Sequence, residues 1–257
     1  MAIADDHKKY RAIVKNMLAD GGLFENINSA EIHPPYRIKG MMRRDFFGNT
    51  AANIISGIDP LLKNGTIIKT DRATTVSKAS IAGQNVIIKR YNNQGFLNSL
   101  KYTLAGSRAK RVWRETYLLQ QLGITTPIAL GYFDVLHNGR VIRSYLLNAF
   151  CSGPSLHDLL LNSIITLDEW PAINDQVNNL LNILHSKGIT HGDIKHTNIL
   201  YEKGGLVLID LDSLAIHRSE KKLKRSIEKD RKAYTKKINL DPNEYIKRKK
   251  IELNISH

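Results

Sequence analysis

The chain has 257 residues, 42% hydrophobic and 24% charged, enough for one large domain or two lobes with a buried core. Its amino end, "MAIADDHKKY", places acids where a signal peptide needs an apolar run, and no stretch reaches the roughly 18–20 apolar residues of a membrane span, so a cytoplasmic protein is expected. A single cysteine, Cys151, excludes an internal disulfide and a paired-cysteine zinc site, while a net charge of +14, of which residues 218–257 supply +8 (14 Lys/Arg against 6 Asp/Glu), suits polyanionic partners or a solvated helical face.

In chain order, Tyr10, Ile13, Val14, Met17 and Leu18 recur at helical spacing, which predicts a helix over 5–19 with Asp5 as its cap and Gly21-Gly22 as its stop. Residues 23–64 hold Pro34-Pro35, Gly40 and Pro60 among short apolar runs; they are weakly determined and read, with the first helix, as an extension (1–64) wrapped around the next domain. From Gly65 the texture becomes β-branched: "TIIKT", "TTVSKASI" and "NVIIKRY", broken by Asp71-Arg72 and by "AGQN", predict two or three antiparallel strands. A helix comes next, from Ser107 to Leu122, in which Trp113 and Tyr117 read as packing residues, and "IALGYFDVL" and "RVIRSYLLNAF" around "HNG" predict a second hairpin. These elements make a first lobe, 65–149.

The second lobe, 150–257, opens with "CSGPS" and turns helical. Ile173, Val177, Leu180, Leu181 and Leu184 form a core-facing stripe; Pro171 belongs in its first turn, which favours Asp168 over Thr166 as the cap. Two short strands, "NILYE" and "LVLIDL", flank Gly204-Gly205, and a basic helix closes the chain. His157, His185 and His217 read as surface or structural residues.

Several residues along this path have chemistry to offer. Asp193 stands in a loop after a helix, five residues before Asn198, so one loop can present a carboxylate to a substrate hydroxyl and an amide oxygen to a metal. Asp210 ends the apolar run "LVLI" and is costly to bury there unless it is paired or binds a cation. Glu115 falls in the apolar stripe of Val112 and Leu119, and a carboxylate facing a core wants a cation, which Lys89 at the end of "NVIIK" can supply. Taken singly, each has an ordinary explanation: an acid in a stripe is often partly exposed, and a strand lysine is usually solvated. No G-x-x-x-x-G-K-[ST] loop and no G-x-S-x-G nucleophile is present.

In order, Lys89, Glu115, "HGDIKHTN" and "LIDLDS" resemble the motif set of the protein-kinase-like superfamily. The resemblance implies an α+β, bilobal kinase-like fold with a small antiparallel β-rich N-lobe and a compact helical C-lobe, and it implies ATP and Mg²⁺ as cofactors. Lys89 then corresponds to the lysine on the α/β-phosphates, Glu115 to its helix partner, Asp193 to the catalytic base, and Asn198 and Asp210 to the Mg²⁺ ligands. His191 matches a loop scaffold, Lys195 a lysine near the γ-phosphate, and Asn148, Ala149 and Phe150 the inter-lobe hinge whose backbone binds adenine.

The departures are informative. "TDRATTVSKAS" stands where a glycine-rich loop is usual, Gly192 replaces the arginine that pairs with a phosphorylated activation loop, Asp212 replaces the glycine of Asp-Phe-Gly, and 47 residues come after Asp210. With "GSRAKRVWRETYLLQQLGITTPIALGYF", "HTNIL" and "KKLKRSIEK", holding Arg225-Ser226, these features resemble the bacterial lipopolysaccharide kinases of the Kdo and core-heptose type, over about Thr66 to Lys229. That family implies transfer of the ATP γ-phosphoryl group to a sugar hydroxyl of a lipid-linked glycan, on an anionic membrane surface at the inner face of the inner membrane. An atypical serine/threonine protein kinase is the alternative; a non-catalytic nucleotide-binding or nucleic-acid-binding module is the second, and a nucleic-acid partner is disfavoured.

Overall fold

Two residue pairs with left-handed backbone, Ala82-Gly83 (φ 50° and 78°) and Asn138-Gly139 (φ 48° and 75°), make the tight turns around which most of the β-structure is arranged. In the computed structural model, residues 9–10, 12–16, 23–33, 36–47, 51–92, 95–162, 164–202, 204–237 and 242–255 are described. They belong to two units, one of Ala12–Gln121 and Pro127–Phe150, the other of Met1–Arg11, Leu122–Thr126 and Cys151–His257. Of the helix expected over 5–19, residues 9–10 and 12–16 (α1) are helical; the remainder, like Gly21-Gly22 and Pro34-Pro35, lies outside the described residues.

The unit of Ala12–Gln121 and Pro127–Phe150 contains strands β1 (Phe24–His33), β2 (Tyr36–Arg43), β3 (Thr66–Thr70), β4 (Thr74–Ile81), β5 (Gln84–Asn92), β6 (Ala129–His137) and β7 (Arg140–Ala149). They form one antiparallel sheet in the order β1-β2-β6-β7-β5-β4-β3. The three β-branched runs become β3, β4 and β5, and the β3–β4 turn is closed by Asp71, whose carboxylate accepts from the amides of Thr74 and Ala73 at 2.7 Å. Those bonds, with Lys69, hold the Asp71 carboxyl down at about 2.

Residues 24–33, 36–47 and 51–64 build onto this sheet. β2 pairs with β6 from Tyr36↔His137 to Met42↔Gly131, and Gly40 sits where a Cβ would lie 2.1 Å from the carbonyl oxygen of Tyr132. The glycine that breaks the apolar pattern in the sequence is thus a close-approach residue inside a strand. Helices α2 (Arg44–Phe47), α3 (Ala51–Ser56) and α4 (Ile58–Asn64) come next, and Pro60 is tolerated because it falls in the first turn of α4. Ile54, Ile55, Ile58 and Leu62 share one buried cluster with Val86, Ile88, Phe133 and Leu147 of the sheet. Asp59 clips α4 to that face, accepting from Arg90 (3.1 Å), Arg143 (2.8 Å) and Tyr145 (2.8 Å).

Two further helices, α5 (Phe96–Ala105) and α6 (Arg108–Gln121), complete this unit. α6 lies within a residue of its expected bounds at each end, with Ser107 capping it through a bond from the Lys110 amide (3.1 Å). α5 is not anticipated from the sequence; it is tied to β7 by the Val141 amide donating to Thr103 Oγ1 (3.0 Å). Trp113 and Tyr117 are packing residues as expected: they meet Phe24 edge-on at 5.2 and 5.1 Å, and Trp113 meets Tyr132 at 5.1 Å. Tyr132 alternates with Phe133 along β6, so α6 covers the face opposite the α3–α4 cluster.

The other unit contains α7 (Leu156–Leu161), α8 (Trp170–Ser186), β8 (Ile189–Thr190), β9 (Ile199–Glu202), β10 (Gly205–Leu208), β11 (Ala215–Ile216), α9 (Glu220–Lys237) and α10 (Pro242–Ile255). Ser155 and Asp158 form a capping box on α7. In α8, Ile173, Val177, Leu181 and Leu184 are buried as the periodicity predicts, with Leu180 at the margin of the stripe. The expected cap at Asp168 is corrected: α8 starts at Trp170 with Glu169 at the cap position, because Thr166 and Glu169 bond reciprocally and close the turn before it. The basic tail forms two helices, and among the described residues no helix is long and apolar enough to cross a membrane.

Candidate active site

β8 and β11 pair antiparallel through Thr190↔Ala215 and Ile189↔Ile216, and the chain leaves β8 directly into "HGDIKHTN". His191 is fully buried. Its Nε2 donates to the Ile209 carbonyl (3.2 Å) and its Nδ1 accepts from the Asp193 amide (3.3 Å), a pattern that requires the neutral ring. Burial pushes the His191 pKa below its ordinary value, in agreement with that pattern. The imidazole therefore joins the loop of Asp193 to the strand end that carries Asp210.

Asp193 is half-exposed, and the groups around it come from its own loop. Lys195 Nζ lies 2.6 Å from Asp193 Oδ2, and Asn198 Nδ2 donates to the Asp193 carbonyl (2.9 Å) and to Oδ2 (3.2 Å). Because the Asn198 amide nitrogen is spent on Asp193, its oxygen is the atom left for a cation. The Ile209 amide donates to the Asn198 carbonyl at 3.0 Å, which brings Asp210, the next residue, alongside. Asp210 is exposed and holds φ 56°, ψ 62°, a left-handed conformation that Asp adopts more readily than most residues and that recurs at functional positions. An amide oxygen and a carboxylate are hard oxygen donors of the kind Mg²⁺ takes, one or two from protein and the rest from phosphate and water. Among the described residues, no group of three or more His, Cys, Asp or Glu side chains is arranged for a metal ion.

The remaining expected residues lie in the unit of the large sheet. Lys89 is on β5 in register with Val76 and Leu146, its ammonium 5.5 Å from the Tyr91 ring; since Ile88 faces the α3–α4 cluster, Lys89 projects to the side that α6 covers. Glu115 is half-buried on α6 beside the buried Val112 and Trp113. Asn148 and Ala149 end β7 opposite Ile87 and Val86. The hinge differs from the expectation in one respect: the Ala149 amide donates to the Ile128 carbonyl (2.8 Å) and the Phe150 amide to the Asn85 carbonyl (3.1 Å), so neither N–H is left for adenine. Asn148 Oδ1, by contrast, is buried without a hydrogen-bond partner among the described residues, and the Lys78 ammonium sits 3.8 Å over the Phe150 ring.

Asp230 of α9 is a buried partner of the Asp193 loop that the motifs of the sequence do not reveal. It is 1% exposed, and its carboxylate accepts from the amides of His191 (2.8 Å) and Gly192 (2.9 Å) and meets His185 Nε2 at 3.3 Å. Burial pushes its pKa up, but the bonds from His185, Gly192 and His191 outweigh burial and hold it below the ordinary carboxylate value. Gly192 takes φ +80°, and a Cβ there would lie 2.5 Å from the Ser213 carbonyl oxygen. An arginine cannot occupy this position without moving backbone.

The protein kinase domain family matches residues 73–250. Sperm motility kinase 2B of Mus musculus is 38% identical over 84 residues, 32% of this chain and 17% of that protein, and serine/threonine-protein kinase STE20 of Eremothecium gossypii is 33% identical over 99 residues, 35% of this chain and 10% of that one. The matched spans are thus less than a fifth of either relative. The solved structure of WaaP in complex with acyl carrier protein is similar in fold, with a TM-score of 0.53 at 14% identity over 74% of this chain and 76% of that one. A match of this extent, on a sheet-rich unit carrying Lys89 and a helical unit carrying the Asp193 loop, places the chain in the protein kinase domain family, with that family's α+β bilobal fold.

Proposed function

We propose that this chain is an ATP- and Mg²⁺-dependent kinase that transfers the γ-phosphoryl group to a sugar hydroxyl of a lipid-linked glycan of the lipopolysaccharide inner-core type, Kdo or heptose. The observation that carries the reading is the Asp193 carboxylate held against Lys195 and Asn198, with Asp210 brought next to Asn198 by the Ile209 amide. Asp193 accepts the proton of the acceptor hydroxyl, Lys195 balances charge on the phosphoryl oxygens, and Lys89 with Glu115 holds the α/β-phosphates. Magnesium held by Asn198 and Asp210 supplies charge neutralisation on the phosphates.

Two features support a sugar acceptor over a peptide. Gly192 has no room for the arginine with which switchable protein kinases read a phosphorylated loop. Lys221, Lys222, Lys224, Arg225 and Lys229 of α9 are all exposed, as are Lys110, Arg111 and Arg114 of α6, which suits peripheral attachment to the anionic inner face of a membrane, where each charge is worth about 1 kcal/mol. The second reading, a serine/threonine protein kinase, is favoured by the Lys195 to Asp193 contact and by the names of the two curated relatives.

Labelled ATP incubated with the protein and with membrane and soluble fractions separates them. Label in glycolipid, lost with Asp193→Asn, is the expected result. Label in protein alone overturns the sugar acceptor and keeps the chemistry; equal labelling by wild type and Asp193→Asn overturns the kinase reading in favour of a non-catalytic nucleotide-binding module.

A further inference from the structure

Among the described side chains of α10, one is buried against its unit. Among its described side chains, residues 242–248 and 251, only Tyr245 is buried, at 6% exposure, while Ile251 is half-exposed and Glu244 pairs with Arg248 on the outside. α9 is held quite differently, by buried Leu223, Asp230 and Tyr234 and by Arg231 bonding to Asn178 and Asn182 of α8. Over its described side chains α10 is thus held far more lightly than α9, and a lightly held helix opens at lower cost.

The anchor lands on the catalytic loop. The Tyr245 ring stacks on His196 at 4.1 Å with 25° between planes, and its hydroxyl lies 2.6 Å from His157 Nδ1 on α7. His196 is 3% exposed and also lies nearly parallel to Trp170 of α8, at 5.7 Å and 17°. It opens the 3₁₀ turn His196–Asn198, directly after Lys195, and the turn is closed by the Asn198 amide donating to the Lys195 carbonyl (3.0 Å). Rings from α8 and α10 therefore stack on His196, one of the two residues between Lys195 and Asn198, and α7 holds the α10 ring through His157.

We infer that α10 is a latch on the catalytic loop and that Tyr245 is a positioning residue: seated on His196, it fixes the turn that aims Lys195 and Asn198, and withdrawn, it releases that turn. The part of this inference that concerns Mg·ATP rests on the kinase reading; the part that concerns the loop does not. With the peg out, His196 keeps Trp170 on one side, loses the ring on the other and opens to solvent there, while the rest of the unit keeps its own core of Ile173, Val177, Leu181 and Leu184.

The test compares the full chain with Tyr245→Ala and Tyr245→Phe in two measurements. In the first, His196 is modified with diethylpyrocarbonate and followed by mass spectrometry; Tyr245→Ala reacts about tenfold faster than wild type, and Tyr245→Phe, which keeps the ring and loses the hydroxyl that meets His157, stays within about twofold. In the second, Mg²⁺ is titrated against the thermal stabilisation given by ATP; the half-saturating Mg²⁺ rises about fivefold or more in Tyr245→Ala and returns near wild type in Tyr245→Phe. If Tyr245→Ala does not fold, Tyr245→Leu, which fills the space without a ring, takes its place. Equal protection of His196 in all variants overturns the latch, and faster modification with an unmoved Mg²⁺ requirement overturns the positioning role. Absence of any Mg·ATP effect in wild type counts against the kinase reading instead, and the modification rates then decide the latch alone.

Discussion

The Gly192 amide donates to the Asp230 carboxylate at 2.9 Å, across 38 positions of chain. With the His191 amide on its other oxygen, one buried side chain satisfies two consecutive backbone donors that would otherwise be stranded as the chain leaves β8. The backbone immediately before Asp193 is thereby set by a buried side chain of α9.

Replacing Asp230 by Ala leaves both amides and His185 without their shared acceptor, and a loss of about 3–5 kcal/mol in urea unfolding is expected. Asp230→Asn, which keeps one acceptor oxygen, costs about 2 kcal/mol. Because the folded-state pKa of Asp230 is depressed below 3.8, its contribution is fully present above that value and is lost as the pH falls through the folded value. Acid unfolding of Asp230→Asn should accordingly be less steep than that of wild type.

Gly192→Ala combines a left-handed backbone with a Cβ 2.5 Å from the Ser213 carbonyl oxygen. A destabilisation of about 1–3 kcal/mol, with phosphoryl transfer lowered alongside, is expected from denaturant curves and labelled-ATP assays on the same preparation. An unchanged midpoint would show that the β8–β11 end yields freely.

Asp193→Asn should reduce phosphoryl transfer by about 10²–10⁴-fold while Mg·ATP still raises the thermal midpoint, since the base acts on the acceptor and not on the nucleotide. Asp210→Asn should lose both transfer and the Mg²⁺-dependent part of the thermal shift. The pair of outcomes, read by calorimetry and by label incorporation, assigns the two carboxylates their different tasks.

Asp134 on β6 is a buried carboxylate whose Oδ1 has no hydrogen-bond partner among the described residues; burial pushes its pKa up to about 6, with Ser107 and Lys110 opposing. For an acid whose folded value exceeds the unfolded 3.8, the contribution is full below 3.8 and is lost as the pH rises to about 6. Asp134→Asn should then be more stable than wild type at pH 7.5 by up to about 3 kcal/mol, with the gap closing near pH 4 in paired urea curves.

The elements most legible in the sequence are those whose chemistry is local. The Ala82-Gly83 and Asn138-Gly139 turns announce their hairpins because glycine, joined by Asn138 in the second, accepts left-handed backbone readily, and the Asp193 loop is readable because its members lie within six positions. β1 and β2 are not, since a strand that joins a sheet through β6, some ninety residues away, depends on pairing that no short window contains. Asp230 sits in the charge run "EKDRK" and passes for solvated surface, yet Leu223, Asp230 and Tyr234 recur at i, i+7 and i+11. Like Glu115, Asp230 is an acid within an apolar stripe, and the same signal marks both. Trp170, His196 and Tyr245 come from three separate stretches of chain and carry no spacing signal at all.

The hairpin β1–β2 and helices α3 and α4 lie wholly before residue 73, where the family match begins, yet Ile38, Met42, Ile54, Ile55, Ile58 and Leu62 belong to the same buried cluster as Val86, Ile88, Phe133 and Leu147. The core of the matched sheet is therefore completed by residues that lie before the family match. A protein begun at residue 65 would keep Lys89 and the Asp193 loop and still present a bare apolar sheet face and the open edge of β6, a template for pairing with its neighbours. Insolubility of such a fragment would report a missing cover, not a missing active site.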